Sequence, residues 1–326
     1  MIIKDSVYGS VTLNEPVLID LIESQAMQRL SLVLQHGITA LIGISFPVTR
    51  LDHSIGVMLL TRRLGAGLQE QIAALLHDVS HTAFSHVIDH AIGDPNRQSY
   101  HDEHKASFVR TTDLPAILAK HGFDWHDFLD ETQYPILEQE APALCADRVD
   151  YFLRDALYLN LLSSSDIDVI LAALVVHDGR IMVNDLAAAN LLATQFMAAD
   201  DASWSNFREV GLYELTAQAI RQAMAIGVFT EDDIWSTDQV VWDKMFSAEN
   251  QPLRDTMVLI SAETQFITDT ETPDFTVRPK IRTIDPDVVI AGKAAPLSTR
   301  VPAFAAKRNA YLKRKQFVWQ MSVKRI

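Results

Sequence analysis

The sequence holds one cysteine, Cys145, in 326 residues. That excludes a disulfide scaffold and fits a reducing compartment. Long apolar runs are missing too. The longest, Val169 to Val176, falls far short of a membrane span. Met1-Ile2-Ile3-Lys4-Asp5 is not a basic segment followed by an apolar stretch, so no signal peptide is expected and a cytoplasmic location is. Neither an internal repeat nor a low-complexity tract is found. Apolar residues make up 48%, enough for one large domain with a small appendage and too many for a chain disordered as a whole.

Positive charge is scarce except at the C-terminal end. The net charge is -14, yet from Arg278 onward 12 Lys and Arg face only Asp285 and Asp287. An acidic body does not wrap nucleic acid over its surface. The basic segment suits either a polyanion or the acidic body of a neighbouring subunit, and the second is favoured.

Residues up to about 265 read as helices. Val17, Leu18, Leu21, Ile22, Met27 and Leu30 recur at helical spacing, with Asn14 as a cap and Pro16 in the first turn. The same pattern predicts helices over 53–65, 69–79, 103–119, 143–160, 167–176, 186–199 and 209–226. Asp178-Gly179 between short apolar stretches predicts a hairpin. Beyond 265 the pattern changes: 274–291 reads as a small β element, 294–302 as a loop and 303–326 as mixed. The expected division is therefore 1–265 and a small basic extension, 266–326, packed on it.

Eight of 11 histidines fall between His36 and His104. His53 shares a helix face with Val57, Leu60 and Leu64 and taken alone is a core histidine. Ile72-Ala73-Ala74-Leu75-Leu76 ends in His77-Asp78, and a buried aspartate is costly unless paired or metal-bound. Asp147, Tyr151, Arg154 and Asp155 lie on one side of a helix entered through apolar residues. His53, His77, Asp78 and Asp147 together suit a divalent ion such as Mn, Fe, Co, Ni, Zn or Mg. On an octahedral ion they leave two positions open, as metal-assisted hydrolysis requires.

These residues resemble the HD superfamily of metal-dependent phosphohydrolases, and in particular its deoxynucleoside triphosphate triphosphohydrolase branch. The resemblance rests on Arg50-Leu51-Asp52-His53-Ser54-Ile55-Gly56, on His77-Asp78-Val79-Ser80-His81-Thr82-Ala83-Phe84-Ser85-His86, and on Asp147-Arg148-Val149-Asp150-Tyr151-Phe152-Leu153-Arg154-Asp155. Asp5 to Gly9, Gln28 to Gly37 and Lys280 to Pro286 extend it over most of the chain. It implies an all-α fold, an HD-domain helical core with small β additions. Metal ligands would be His53, His77, Asp78 and Asp147. His81, His86, Asp89 and His104 would serve catalysis, with His101 competing for the place of His104. Arg50 and Arg148 would hold phosphate oxygens, Tyr151 and Asp155 would meet the sugar, and Gln35 would read the sugar or base edge. Dimers or larger homo-oligomers are implied.

One stretch departs from the branch. Phe196 to Phe207 aligns Trp204 and Asn206 where the branch has Tyr and His, offers no arginine to the phosphates, and carries Asp200 and Asp201 instead. Either Arg208 substitutes or the substrate has fewer phosphates. The leading expectation is cleavage of a deoxynucleoside triphosphate to nucleoside and triphosphate. The alternatives are an HD phosphatase or phosphodiesterase on another nucleotide, and a nucleotide-binding regulator without turnover.

Overall fold

The computed structural model of the protein describes residues 1–324. Helix accounts for 53% of the chain and strand for 11%, so the all-α expectation holds for the core while three small sheets surround it. Two apolar clusters organise the interior. The larger contains Leu18, Met58, Leu60, Leu75, Phe152 and Phe196. The second gathers Ile38, Phe84, Val87, Ile220, Val241 and Leu253.

The predicted helix over residues 17–30 is broken. Pro16–Ile22 starts on Pro16 with Glu15, not Asn14, at the cap. Ser24 then caps a second helix, Gln25–Arg29, by accepting the Met27 N–H. The stretch 103–119 divides likewise into Tyr100–Val109 and Leu114–Lys120. In both places a residue that caps or turns the backbone lies inside an unbroken apolar period. The Asp178-Gly179 hairpin forms between Leu174–His177 and Arg180–Val183, and both turn residues have positive φ, as a two-residue primed turn needs.

The region after 265 is more ordered than its texture suggests. Phe275–Val277 and Asp287–Ile290 belong to different sheets, so 274–291 is not one element. Asp287–Ile290 pairs in parallel with Arg180–Val183 and antiparallel with Lys293–Pro296. The expected loop 294–302 is thus partly strand and partly the short helix Leu297–Arg300. Helix Pro302–Lys315 follows, and then strand Trp319–Val323, between Phe266–Thr268 and Phe275–Val277. A first hairpin, Ile2–Asp5 with Gly9–Thr12, was not foreseen, because its short strands are mostly exposed and carry little apolar alternation.

The segment after His77 runs from one core into the other. Val79 packs in the first, Ala83 and Phe84 in the second. Phe84 and Ser85 both adopt left-handed backbone angles. The strain is held by Asp238, whose carboxylate accepts the Phe84 and Leu34 N–H groups at 2.7 and 2.8 Å. Gly37 lies against the Phe84 carbonyl so closely that a Cβ there would collide with backbone.

Candidate active site

Three helices bring the candidate metal-binding side chains together. Helix Arg50–Arg63 begins with a capping box between Thr49 and Asp52, which sets Arg50 and His53 on the inner face of its first turn. Helix Leu68–Leu76 is buried from Gln71 to Leu76, so the chain leaving it delivers His77 and Asp78 inside the protein. Helix Ala146–Tyr158 carries Asp147 in its first turn.

His53 Nε2 lies 3.3 Å from His77 Nε2 and 2.9 Å from Asp147 Oδ1, and the latter two are 3.7 Å apart. Asp78 comes within 3.8 Å of His53 and 3.5 Å of His77. Donors bound about 2.0–2.2 Å from one divalent ion are about 3 Å apart in adjacent positions. His53, His77 and Asp147 thus gather donors that could hold one ion, while Asp78 approaches His53 and His77 and also groups with His81 and His101. Electrostatics agrees. Burial opposes charging of His77, yet Asp78 and Asp147 outweigh it and push the imidazole up to about 10. Burial likewise opposes ionisation of Asp78, but Arg50 and His77 hold it well below the usual carboxylate range. The carboxylates demand positive charge at this point, which a cation supplies.

The histidines are oriented from behind. His77 Nδ1 meets the Ala74 carbonyl at 2.8 Å, and His53 Nδ1 meets Asp150 at 2.8 Å. Asp150 is buried and paired with Arg154, which reaches on to Asp5 at 2.7 Å. Gly56 makes room for this pair: a Cβ there would strike Arg154 and Asp150. The role of Asp150 was not read from the sequence, although it stands one helical turn from Arg154 in the quoted motif. Ligand-supporting carboxylates of this kind are worth about 10- to 100-fold in metal affinity. Asp150→Asn is accordingly expected to lose metal by that factor in chelator titrations while Asp147 stays in place. Unchanged affinity would remove Asp150 from the site's support.

On one side of the ligands stand three imidazoles. His81 Nε2 is 3.2 Å from Asp78, and the His101 ring stacks on His81 with centroids 3.7 Å apart. His86 sits edge-on to His81 at 5.1 Å and bonds Asp89 through Nδ1 at 3.0 Å; Asp89 also accepts the Tyr100 N–H. Burial and the Arg50 charge push His81 down to about 3. Burial also lowers His101 and His86. Burial thus favours the neutral form at all three. His101 faces the cavity, whereas His104 packs on Tyr100 and Trp235 and does not line it. Three residues apart they are offset by about 60° around the helix, and that offset, with the packing on Trp235, takes His104 out of the cavity lining.

On the other side Asp155 is held by His36 at 3.1 Å and by the Trp204 indole N–H at 2.6 Å. A π-helical turn, Asp200–Trp204, swings Trp204 into this position, edge-on to Tyr151. The buried Gln35 Oε1 has no hydrogen-bond partner among the described residues. Arg50 is tied to Asp78 at 2.6 Å and to Ser85 at 3.0 Å. Arg148 donates to the Gln139 and Ala143 carbonyls. One cavity of about 740 Å³ is lined by Gln35, Arg50, Arg148, Tyr151, Asp155 and the ligands. Asp89 orients His86 from outside this lining.

Arg208 does not take the place of the missing arginine, because its guanidinium is bound to the Thr264 and Ala262 carbonyls, away from that cavity. Asp200 and Asp201 face away as well. Asp200 accepts the Tyr311 hydroxyl, and Asp201 pairs with Arg314 at 2.6 Å and Lys315 at 2.7 Å. The basic C-terminal helix thus neutralises acids of its own chain.

Comparison with known proteins gives the HD domain family over residues 50–155. The metal-dependent phosphohydrolase cns2 of Cordyceps militaris is 38% identical over 96% of this chain and 92% of its own. The deoxynucleoside triphosphate triphosphohydrolase SAMHD1 of Danio rerio is 25% identical over 51% of this chain and 35% of its own. Among solved structures, a hypothetical protein from Aquifex aeolicus superposes with a TM-score of 0.74 at 20% identity, covering 97% of this chain and 98% of its own.

Proposed function

The chain belongs to the HD-domain metal-dependent phosphohydrolases, and on that premise we propose that its substrate is a nucleotide, cleaved as a deoxynucleoside triphosphate to nucleoside and triphosphate. The observation carrying this reading is one cavity with two chemically different ends. Its volume of about 740 Å³ lies within the range of small-molecule sites. One end joins the metal ligands to His81, His86 and His101. The other offers Tyr151 and Trp204 rings, the Asp155 carboxylate and the unpartnered Gln35 carbonyl, which suit a sugar and base. Similarity to the SAMHD1 triphosphohydrolase over half the chain supports the same substrate class.

A divalent ion held by His53, His77, Asp78 and Asp147 supplies Lewis-acid polarisation of a phosphoryl oxygen. The chain's own residues do the rest. Asp155, fixed by His36 and Trp204, accepts from a sugar hydroxyl. Asp89 takes the Nδ1–H of His86, leaving Nε2 free to take a proton from the attacking water. Burial among His81, His101 and Arg50 limits water at the reacting end.

The absence of an arginine from Phe196–Phe207 favours a second reading, a phosphatase on a nucleotide with fewer phosphates. Product analysis separates them. The metal-loaded protein is incubated with each dNTP and each nucleoside monophosphate. Nucleoside plus tripolyphosphate from dNTPs is the expected result. Orthophosphate from monophosphates, with dNTPs untouched, establishes the second reading instead.

A further inference from the structure

The cations that line the cavity are not equivalent. Arg50 is neutralised by Asp78, Arg148 is spent on backbone carbonyls beside Glu138, and Arg97 pairs with Glu103 at 3.2 Å. Three others, Lys280, Arg282 and Arg308, make no ion pair among the described residues. All three come from the segment after Phe266. Pro279–Thr283 lines the cavity, and there Lys280 Nζ donates to the Arg97 carbonyl at 3.2 Å and Arg282 to Gln98 Oε1 at 2.7 Å. Ile281 between them packs toward the large core, and a spacing of two sets Lys280 and Arg282 on the same side of an extended segment. Arg308, on helix Pro302–Lys315, has a buried Nε with no partner. A buried donor left unpaired is costly unless a ligand completes it.

We propose that Lys280, Arg282 and Arg308 form the phosphate clamp of this enzyme, holding substrate phosphate oxygens that the metal does not reach. The clamp rests on the nucleotide reading above and deepens it. It supplies from the C-terminal segment the charge that Phe196–Phe207 lacks, and Asp200 and Asp201 do not oppose it because Arg314 and Lys315 neutralise Asp201 and Tyr311 engages Asp200. The local field agrees. Partial desolvation and the neighbouring Arg282 charge push Lys280 down to about 8, against a smaller opposing pull from Asp89. Planar guanidinium groups suit paired phosphate oxygens.

The test is equilibrium binding of deoxyadenosine, dAMP and a non-hydrolysable dATP analogue to the metal-loaded full chain. Arg282→Ala is expected to weaken the dATP analogue about 10- to 100-fold, the usual scale for a charged hydrogen bond, and to leave deoxyadenosine unchanged. Arg282→Lys restores part of the loss. Lys280→Gln, at an exposed position, weakens the analogue with metal content and melting temperature unaltered. Equal affinity of wild type and both neutral variants for the analogue overturns the clamp, as does an equal loss for deoxyadenosine. If the wild type cleaves no dNTP, the triphosphohydrolase reading fails. The clamp is then decided by dAMP: weaker binding to Arg282→Ala sustains it and unchanged binding refutes it.

Discussion

Asp147→Ala is expected to lose bound metal and hydrolysis together, with turnover down by about 10³-fold or more, since Lewis-acid stabilisation is worth several kcal/mol. Asp147 Oδ1 is the donor on which His53 and His77 converge, at 2.9 and 3.7 Å. Its side chain is about a quarter exposed toward the cavity, so truncation leaves no cavity in the apolar core. The fold should therefore survive, and melting temperature should fall mainly by the stabilisation that bound metal confers. Metal content by mass spectrometry and turnover are measured on one preparation. A metal-free variant with full activity refutes metal dependence, and a fully metallated one removes Asp147 from the ligand set.

His86→Ala should behave differently, keeping metal and nucleotide affinity while turnover falls by about 10²-fold or more, the scale of a lost proton acceptor. His86 stands outside the four ligands. Its Nδ1 is committed to Asp89 at 3.0 Å, and Asp89 is itself fixed by the Tyr100 N–H. Burial favours the neutral ring. With Asp89 accepting from Nδ1–H, Nε2 is left free to take a proton from the attacking water. Asp89→Asn should reproduce part of the loss by allowing the wrong tautomer. Single-turnover rates with metal content and melting temperature decide the matter. A stable, metal-loaded His86→Ala enzyme with unchanged turnover excludes His86 from the chemistry.

The candidate metal ligands were legible because their signals are short. His77-Asp78 is one dipeptide at the end of an apolar helix, and His53 and Asp147 each stand in the first turn of a helix whose apolar period announces it. Helix existence was readable for the same reason, whereas breaks at Ser24 and between Val109 and Leu114 were not, since one capping residue outweighs a continuous period there. His101 and His104 show the limit of spacing: both follow the same loop, and only packing of His104 on Trp235 selects the face that meets the cavity.

Local sequence by itself determined the helices and the His and Asp side chains that are candidates to hold a metal, because ligand chemistry and helical periodicity act over a few residues. Tertiary structure alone decided their partners. Asp150 backs His53 from 97 positions away, Trp204 pins Asp155, and Arg314 and Lys315 neutralise Asp201 more than a hundred residues upstream. It also brought Lys280, Arg282 and Arg308 to the cavity, although composition shows them only as part of a basic C-terminal stretch. Coulomb and hydrogen-bond energies depend on distance in space, so which charges are spent on neighbours and which stay free for a ligand is settled only when the chain has closed on itself.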